Sequence, residues 1–272
     1  MKIRIKFEKH GSMRYIGHLD VMRYFQKAFR RCDLKVEYSQ GFNPHQLMSF
    51  ASPLGVGLTS SGEYLDVRLV DAPEKKELLE RINSVMNDEI VVSDLSFVKE
   101  DLKPSMSSLA AADYFIIGKA KYPYPSNIYS EFDKFLTQSD IMITKKTKKG
   151  ETTSNIKPFL YEMRFIDPVK DVIRDNQTVF DIYTDGDIVS GDPIVCFYLK
   201  ASAGSVFNVK PEQVMECFYQ FMGLEFQKIF YHYHRLDMYV DLWERPKETL
   251  EERMNRKRKF VSMNDYGILE KQ

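Results

Sequence analysis

The sequence is poor in the residues that build cross-links and metal centres. It contains three cysteines and one tryptophan in 272 residues. Cys32, Cys196 and Cys217 form no CxxC or CxxxCxxC group, so neither a zinc ribbon nor a locally ligated iron–sulfur cluster is supported. Isolated thiols of this kind are typical of buried side chains in a reducing compartment. We therefore assign this chain no metal and no cofactor of its own.

Long apolar runs and an excess of one charge are also missing. No segment approaches the roughly 20 apolar residues of a membrane-spanning helix. The first residues, MKIRIKF, alternate charged and apolar side chains, unlike a signal peptide. A cytoplasmic protein without a membrane partner is expected. Lysine plus arginine equals aspartate plus glutamate at 39 each, so nucleic-acid binding would require a local basic patch.

What the sequence does contain is a clear alternation of strand and helix patterns. Residues 2–8 alternate apolar and charged side chains, which predicts a half-buried strand with Lys2, Arg4 and Lys6 facing solvent. Apolar residues recur at helical spacing from Gly17 onward. Over residues 2–98 the patterns give the order β-α-β-β-α-β. This order is typical of a ferredoxin-like domain, an antiparallel sheet with two helices on one face.

The same pattern recurs in the second half of the chain. Residues 99–112 are rich in serine and predict a linker. The fold class is thus α+β, with two tandem ferredoxin-like domains of antiparallel sheets at 1–98 and 113–242. The second domain includes an extended hairpin with a lysine-rich tip at 145–150, and a strand at 179–183. Residues 243–272 form a charged tail that we expect to be solvated.

The first candidate site joins the opening strand to the first helix, at residues 14–20. A histidine is suited to general acid–base chemistry, so His18 would serve as a general acid or base, with Asp20 to orient it. Alternatively, either side chain caps the helix by satisfying its free amide groups. A helix N-terminus attracts anions, so a phosphate here is compatible with both interpretations.

The second candidate site is the long loop after the first helix. Asn43 and His45 offer polar edges, while Phe42 and Phe50 would stack on a base. Alternatively, the glycines and prolines of this loop serve only its turns. No catalytic triad, Walker loop or GxGxxG fingerprint is present, since the glycine pair at 55 and 57 lacks the third glycine.

Three further signals are weaker. His232 and His234 share one face of a predicted strand, but no third ligand stands at a telling spacing, so no metal site is assigned. The lysines near 145–149 and the basic tail would contact phosphates or simply be solvated.

Several uncommon strings in the first half carry a family resemblance. They are MRYIGHLDVMR at 13–23, RR at 30–31, YSQGFNPH at 38–45 and GEYLDV at 62–67. Together they resemble the uncharacterised radical-SAM-linked protein family. NIKP at 155–158 and VKPE at 209–212 match that family more loosely. A glycine stands before His18 where the family usually has serine.

The resemblance implies a partner rather than a reaction. In that family the domain is fused to, or encoded beside, a radical SAM protein that often carries a cobalamin-binding module. Because this chain lacks a cysteine trio, the iron–sulfur cluster is expected in the partner.

The leading hypothesis is an accessory or substrate-presenting subunit of a radical SAM enzyme that acts on RNA. Its single polar site would combine the start of the first helix with the loop at 40–45. The proposed RNA-binding residues are Arg14, Arg23, Gln40, Phe42, Asn43 and His45, and the candidate catalytic residues are His18 and Asp20. One alternative is a stand-alone RNA-processing or RNA-modifying enzyme that uses His18. The other is a protein-only interaction module.

Overall fold

The computed structural model describes residues 1–119, 122–147, 150–167, 170–171, 195–245 and 247–269. These residues form a mixed α/β structure with a mainly antiparallel sheet. The chain divides into two compact units. The first comprises Met1–Ala111, Arg235–Trp243 and Arg258–Gln272, and the second comprises Ala112–His234 and Glu244–Lys257. Among the described helices, none has the length and apolar character needed to cross a membrane.

The strands and helices are numbered in chain order. The strands are β1 (Lys2–Lys9), β2 (Met48–Phe50), β3 (Thr59–Arg68), β4 (Ile90–Val98), β5 (Leu109–Gly118), β6 (Met142–Thr147), β7 (Gly150–Asn155), β8 (Leu160–Phe165), β9 (Cys196–Ser202), β10 (Tyr231–Asp241) and β11 (Phe260–Ser262). The helices are α1 (His18–Arg31), α2 (Lys75–Asn83), α3 (Ser105–Ser108), α4 (Ile128–Leu136), α5 (Pro211–Phe221) and α6 (Leu250–Asn255). A short 3-10 helix, Gly11–Tyr15, precedes α1.

In the first unit the strands lie in the order β4-β1-β3-β2, and each neighbouring pair is antiparallel. The element order from β1 to β4 is the β-α-β-β-α-β order that the sequence predicts for residues 2–98. Within the same unit, β10 pairs with β3, and β11 pairs with β10.

The apolar core of the first unit lies between this sheet and helices α1 and α2. Phe7 of β1 meets Phe25 of α1 edge to face, with ring centroids 4.8 Å apart. Phe50, at the end of β2, lies 6.0 Å from both rings. These contacts bury a large apolar area and fix where α1 begins relative to β1.

The opposite face of β1 corrects a prediction from the sequence. Lys2, Arg4 and Lys6 were expected to face solvent, yet all three are buried. Arg4 Nε donates to Asp66 Oδ1 at 2.9 Å, and its Nη1 donates to the carbonyls of Met263 and Tyr266. The physical reason is that these charges have partners from distant segments, and paired charges tolerate burial.

The C-terminal segment supplies much of that cover. It was expected to be a solvated tail, but residues 258–269 belong to the first unit. Met263 is fully buried, Ser262 donates to Asp237, and Asn264 donates to Asp94. The segment predicted as a linker is also structured, since both the amide and the hydroxyl of Ser105 donate to Asp66.

The second unit contains strands in the order β10-β5-β9-β8, of which β10 contributes only residues 231–234, together with helices α4 and α5. Aromatic rings dominate its core; Phe132 lies 5.0 Å from Phe197 and 5.4 Å from Phe218, between ring centroids. The antiparallel hairpin β6–β7 spans the predicted hairpin. The predicted strand at 179–183, and the lysines at 148 and 149, lie outside the described residues.

Replacing Arg4 by methionine should destabilise the protein by about 3–5 kcal/mol, because the variant leaves the buried Asp66 carboxylate without its guanidinium partner. Urea unfolding followed by circular dichroism measures this free energy. The matched control is Arg68→Met on the neighbouring strand, where the side chain is exposed. The control should change stability by no more than about 0.5 kcal/mol. Equal effects of the two changes would contradict the assigned role of the Arg4–Asp66 pair.

Candidate functional site

The start of α1 lies against the loop that follows β2. The Gly57 amide donates to the Arg14 carbonyl at 2.8 Å, which joins the loop to the 3-10 helix. Lys9 Nζ, at the end of β1, donates to the Ile16 carbonyl at 3.2 Å. The N-cap residue of α1 is Gly17, which has no side chain to cap the helix. The sequence alternative, in which His18 or Asp20 is the N-cap residue, therefore does not hold: both lie within the helix.

His18 is half-buried beside Phe50. The two rings meet edge to face, with centroids 5.0 Å apart and planes at 83°. This contact holds the imidazole at the edge of a narrow crevice. The crevice is lined by Phe7, Lys9, His18, Val21, Phe50, Ser52, Leu54 and Glu63. It has room for about one water molecule.

Glu63, one of the residues that line this crevice, belongs to a buried ion pair. Glu63 and Arg235 are both buried, and they join through two parallel bonds, Nε to Oε1 at 2.7 Å and Nη2 to Oε2 at 2.6 Å. Arg235 Nη2 also donates to the Ser52 carbonyl at 3.3 Å. The bidentate geometry fixes both side chains. The guanidinium therefore fastens the loop at Ser52 to the sheet.

Gly62 makes this approach of β10 to β3 possible. A Cβ atom at position 62 would clash with the carbonyl oxygen of Leu236 and the Cα of Asp237. Only glycine allows two backbones to come this close. Glycine is therefore required at position 62 for β10 to come close enough to β3 for the Glu63–Arg235 pair to form.

Lys9 is the most unusual charge at the site. Its side chain is only 2% exposed, although it carries an ammonium group. Burial lowers the pKa of Lys9 from its ordinary value; the nearby Glu63 carboxylate opposes this shift and Arg235 adds to it. Glu63 is already engaged by Arg235, so the Lys9 charge is only partly compensated.

The other predicted residues of α1 are exposed and contact one another. Asp20 accepts a hydrogen bond from Arg23 at 3.3 Å, one helical turn away. The structure thus pairs Asp20 with Arg23. That Asp20 orients His18 stays a prediction. The Arg14 guanidinium lies over the Tyr15 ring, 5.1 Å from its centroid.

The loop at 39–45 is a compact projection. The Ser39 hydroxyl contacts His45 Nδ1 at 2.8 Å, and its oxygen accepts a hydrogen bond from the His45 amide at 3.1 Å. Gly41, with a φ of +118°, permits the turn. Gln40, Phe42 and Asn43 are exposed, and Phe42 is completely so. That this loop and the start of α1 form one pocket stays a prediction.

Sequence reasoning missed Lys9, Glu63 and Arg235. A signal was present for two of them. Lys9 continues the alternation of Ile3, Ile5 and Phe7, so it occupies an apolar-face position, and Glu63 does the same ahead of Leu65 and Val67. A charge at such a position needs a buried partner or a ligand.

Metal ligation finds no geometric support in the part of the chain that the structure describes. His232 and His234 are both buried in β10. No group of three or more histidine, cysteine, aspartate or glutamate side chains among the described residues is arranged to hold an ion.

Comparison with known families gives one match. Residues 2–193 match the family model described as an uncharacterised protein conserved in bacteria (DUF2344). The chain belongs to this family. The matched residues of this DUF2344 protein include Lys9, His18 and Glu63, whereas Arg235 lies beyond them. No curated protein matches the chain.

Solved structures resemble this DUF2344 chain only distantly. A Cbf5-Nop10-Gar1 complex aligns with a TM-score of 0.42 at 11% identity, covering 87% of this chain and 48% of the other. An H/ACA RNP bound to a substrate RNA containing 2'-deoxyuridine aligns with a TM-score of 0.41 at 9% identity, covering 86% and 46%. The chain thus spans about half the length of the solved chains it matches. Similarity at this level carries no functional argument.

Replacing Lys9 by methionine should raise stability relative to the parent protein near neutral pH, and this advantage should shrink at alkaline pH. The folded-state pKa of Lys9 lies below the ordinary 10.5, so the unfolded chain binds the proton more tightly. Parent stability therefore gains from rising pH up to about 10.5, whereas the methionine variant has no such gain.

Urea unfolding of both proteins between about pH 7 and about pH 10 measures this difference. The control is Lys27→Met on the exposed face of α1, for which the difference from the parent should be flat. A stability difference for Lys9→Met that grows with pH would refute the assigned shift.

Proposed function

We propose that this protein is an accessory subunit that holds an RNA substrate for a radical SAM enzyme. The observation that carries the RNA part is the exposed ring of Phe42 at the tip of a loop tied by Ser39 and His45. An exposed aromatic ring is a stacking platform for an unpaired base. Exposed Tyr15 with the Arg14 guanidinium adds a second ring and a phosphate-binding cation.

The partner rests on the resemblance of residues 13–23, 38–45 and 62–67 to radical-SAM-linked proteins. Cys32, Cys196 and Cys217 are buried, and burial raises the pKa of each thiol. None of the three stands in a CxxxCxxC group of the kind that holds such a cluster. In this proposal the iron–sulfur cluster and the radical chemistry belong to the partner chain.

We further propose that the two units are ferredoxin-like domains in tandem. The observed strand orders support this proposal. The first unit has β4-β1-β3-β2, and the second has β10-β5-β9-β8. Counting β5, β8, β9 and β10 as strands one to four, both orders read 4-1-3-2, with the hairpin β6–β7 as an insertion.

A second candidate function is catalysis on RNA by His18. It is favoured by the position of the imidazole at the edge of a crevice that contains Lys9 and Glu63. His18→Ala separates the two functions. The subunit account expects the isolated protein to leave RNA covalently unchanged; turnover that His18→Ala abolishes while binding survives would replace that account with the enzyme.

Single-stranded RNA should bind with an affinity that falls steeply as salt rises, because phosphate contacts release counterions. Phe42→Ala should weaken binding about tenfold, the loss of one stacked base, whereas Phe42→Tyr should retain it. Arg14→Ala and Arg23→Ala should also weaken binding. Arg30→Ala removes a charge at the far end of α1 that, like Arg23, is exposed, and it should have little effect.

Fluorescence anisotropy with a labelled oligonucleotide measures these affinities at low and moderate salt. Undetectable binding at low salt would remove RNA from the account. Equal losses for Arg14→Ala and Arg30→Ala would point to general charge attraction rather than to a site.

The partner is tested independently by purifying the tagged protein from its native host after nuclease treatment. A radical SAM protein should remain associated, because its contact does not depend on RNA. Recovery of the chain without any such protein would remove the partner from the account.

A further inference from the structure

We propose that the crevice at the start of α1 binds one phosphate group, with Lys9 Nζ and the His18 ring as its ligands. This inference deepens the proposed function, since it assigns a specific phosphate site to the RNA-binding surface. The site is separate from the guanidinium groups of Arg14 and Arg23.

The first argument is the charge balance of the crevice. Both Glu63 oxygens accept bonds from Arg235, which leaves the Lys9 ammonium as the remaining charge. An ammonium group has three N–H donors. Within the residues that the structure describes, Lys9 Nζ donates one hydrogen bond, to the Ile16 carbonyl. A buried cation with remaining donors is a site for an anion, because its isolated burial is costly.

The second argument is the position of α1. His18 is the first residue of a helix of 14 residues, whose intrahelical hydrogen bonds begin with the Asp20 and Val21 amides donating to Gly17. The partial positive charge at a helix start favours an anion beside it. Lys9 reaches this end of the helix through its bond to Ile16.

The size of the crevice and the access to it also bear on the ligand. The crevice admits about one water-sized group, so one phosphate oxygen enters while the rest of the group stays at the mouth. His18 and Ser52, both half-buried, line it. Tyr15, Leu19 and Val56 are exposed on the adjoining segments. A nucleotide whose phosphate enters the crevice thus has apolar surface nearby for its base.

The direct test is a titration of the full chain with inorganic phosphate, observed through the histidine ring signals in NMR. His18→Gln identifies the His18 signal. The inference predicts a saturable shift of the His18 signal, whereas that of His45, held by Ser39 on the other loop, stays in place. Lys9→Met should abolish the shift, and Lys27→Met should leave it unchanged.

Because Lys9→Met alters a buried group, a second variant keeps the test decisive. His18→Gln changes a half-buried residue, and calorimetry should show at least about fivefold weaker phosphate binding for it, with an unchanged circular dichroism spectrum. No His18 shift in the parent protein up to about 10 mM phosphate, a weak affinity by any standard, would overturn the inference. A shift of the His18 signal that persists in the Lys9→Met variant would also overturn the inference.

A titration with RNA distinguishes this inference from the proposed function. A short oligonucleotide should shift the same His18 signal, and phosphate should compete with it. RNA that binds without moving His18 overturns the crevice and leaves the RNA function standing. Phosphate that moves His18 while RNA does not bind supports the crevice as a site for free phosphate or a small phosphate ester.

Discussion

The structure of the first unit depends on pairing the buried cations of β1 with carboxylates from other segments. Arg4 meets Asp66, and Lys6 lies 3.5 Å from Asp237. Each cation loses its hydration on burial, a cost that only a well-placed carboxylate offsets. The partners come from β3 and β10, and residues after 258 cover them. The C-terminal segment is therefore a structural part of the first unit, because it completes the cover over the charges of β1.

The same constraint shapes the candidate site, with one difference. Glu63 and Arg235 satisfy each other, so Lys9, buried nearby, keeps donors for a further group. Packing of Phe7, Phe25 and Phe50 fixes the start of α1 over this point. The ion pair also holds the loop at Ser52. A rigid scaffold with one under-compensated charge is what an anion-binding site requires.

Local patterns predicted the order of the elements over residues 2–98, because alternation and helical spacing are properties of short segments. They did not predict β2 at Met48–Phe50, which lies within the predicted loop. They failed for Lys2, Arg4 and Lys6, whose burial depends on partners such as Asp66, Met263 and Asp237, tens to hundreds of residues away. The same reasoning from local patterns found only part of the candidate site. His18 was found as a polar residue at a helix start, whereas Lys9 and Glu63 were overlooked although both stand at apolar-face positions. Arg235 gave no signal, since only β10 pairing with β3 brings it to Glu63.

In the proposed site, Lys9 and His18 together face one phosphate group. A crystal structure of the full chain with a short 5'-phosphorylated oligonucleotide tests it most directly. The account predicts a phosphate oxygen at hydrogen-bond distance, about 3 Å, from Lys9 Nζ, with the His18 ring directed to the same group. An oligonucleotide bound elsewhere, with the Lys9 ammonium turned wholly to protein acceptors, would contradict it.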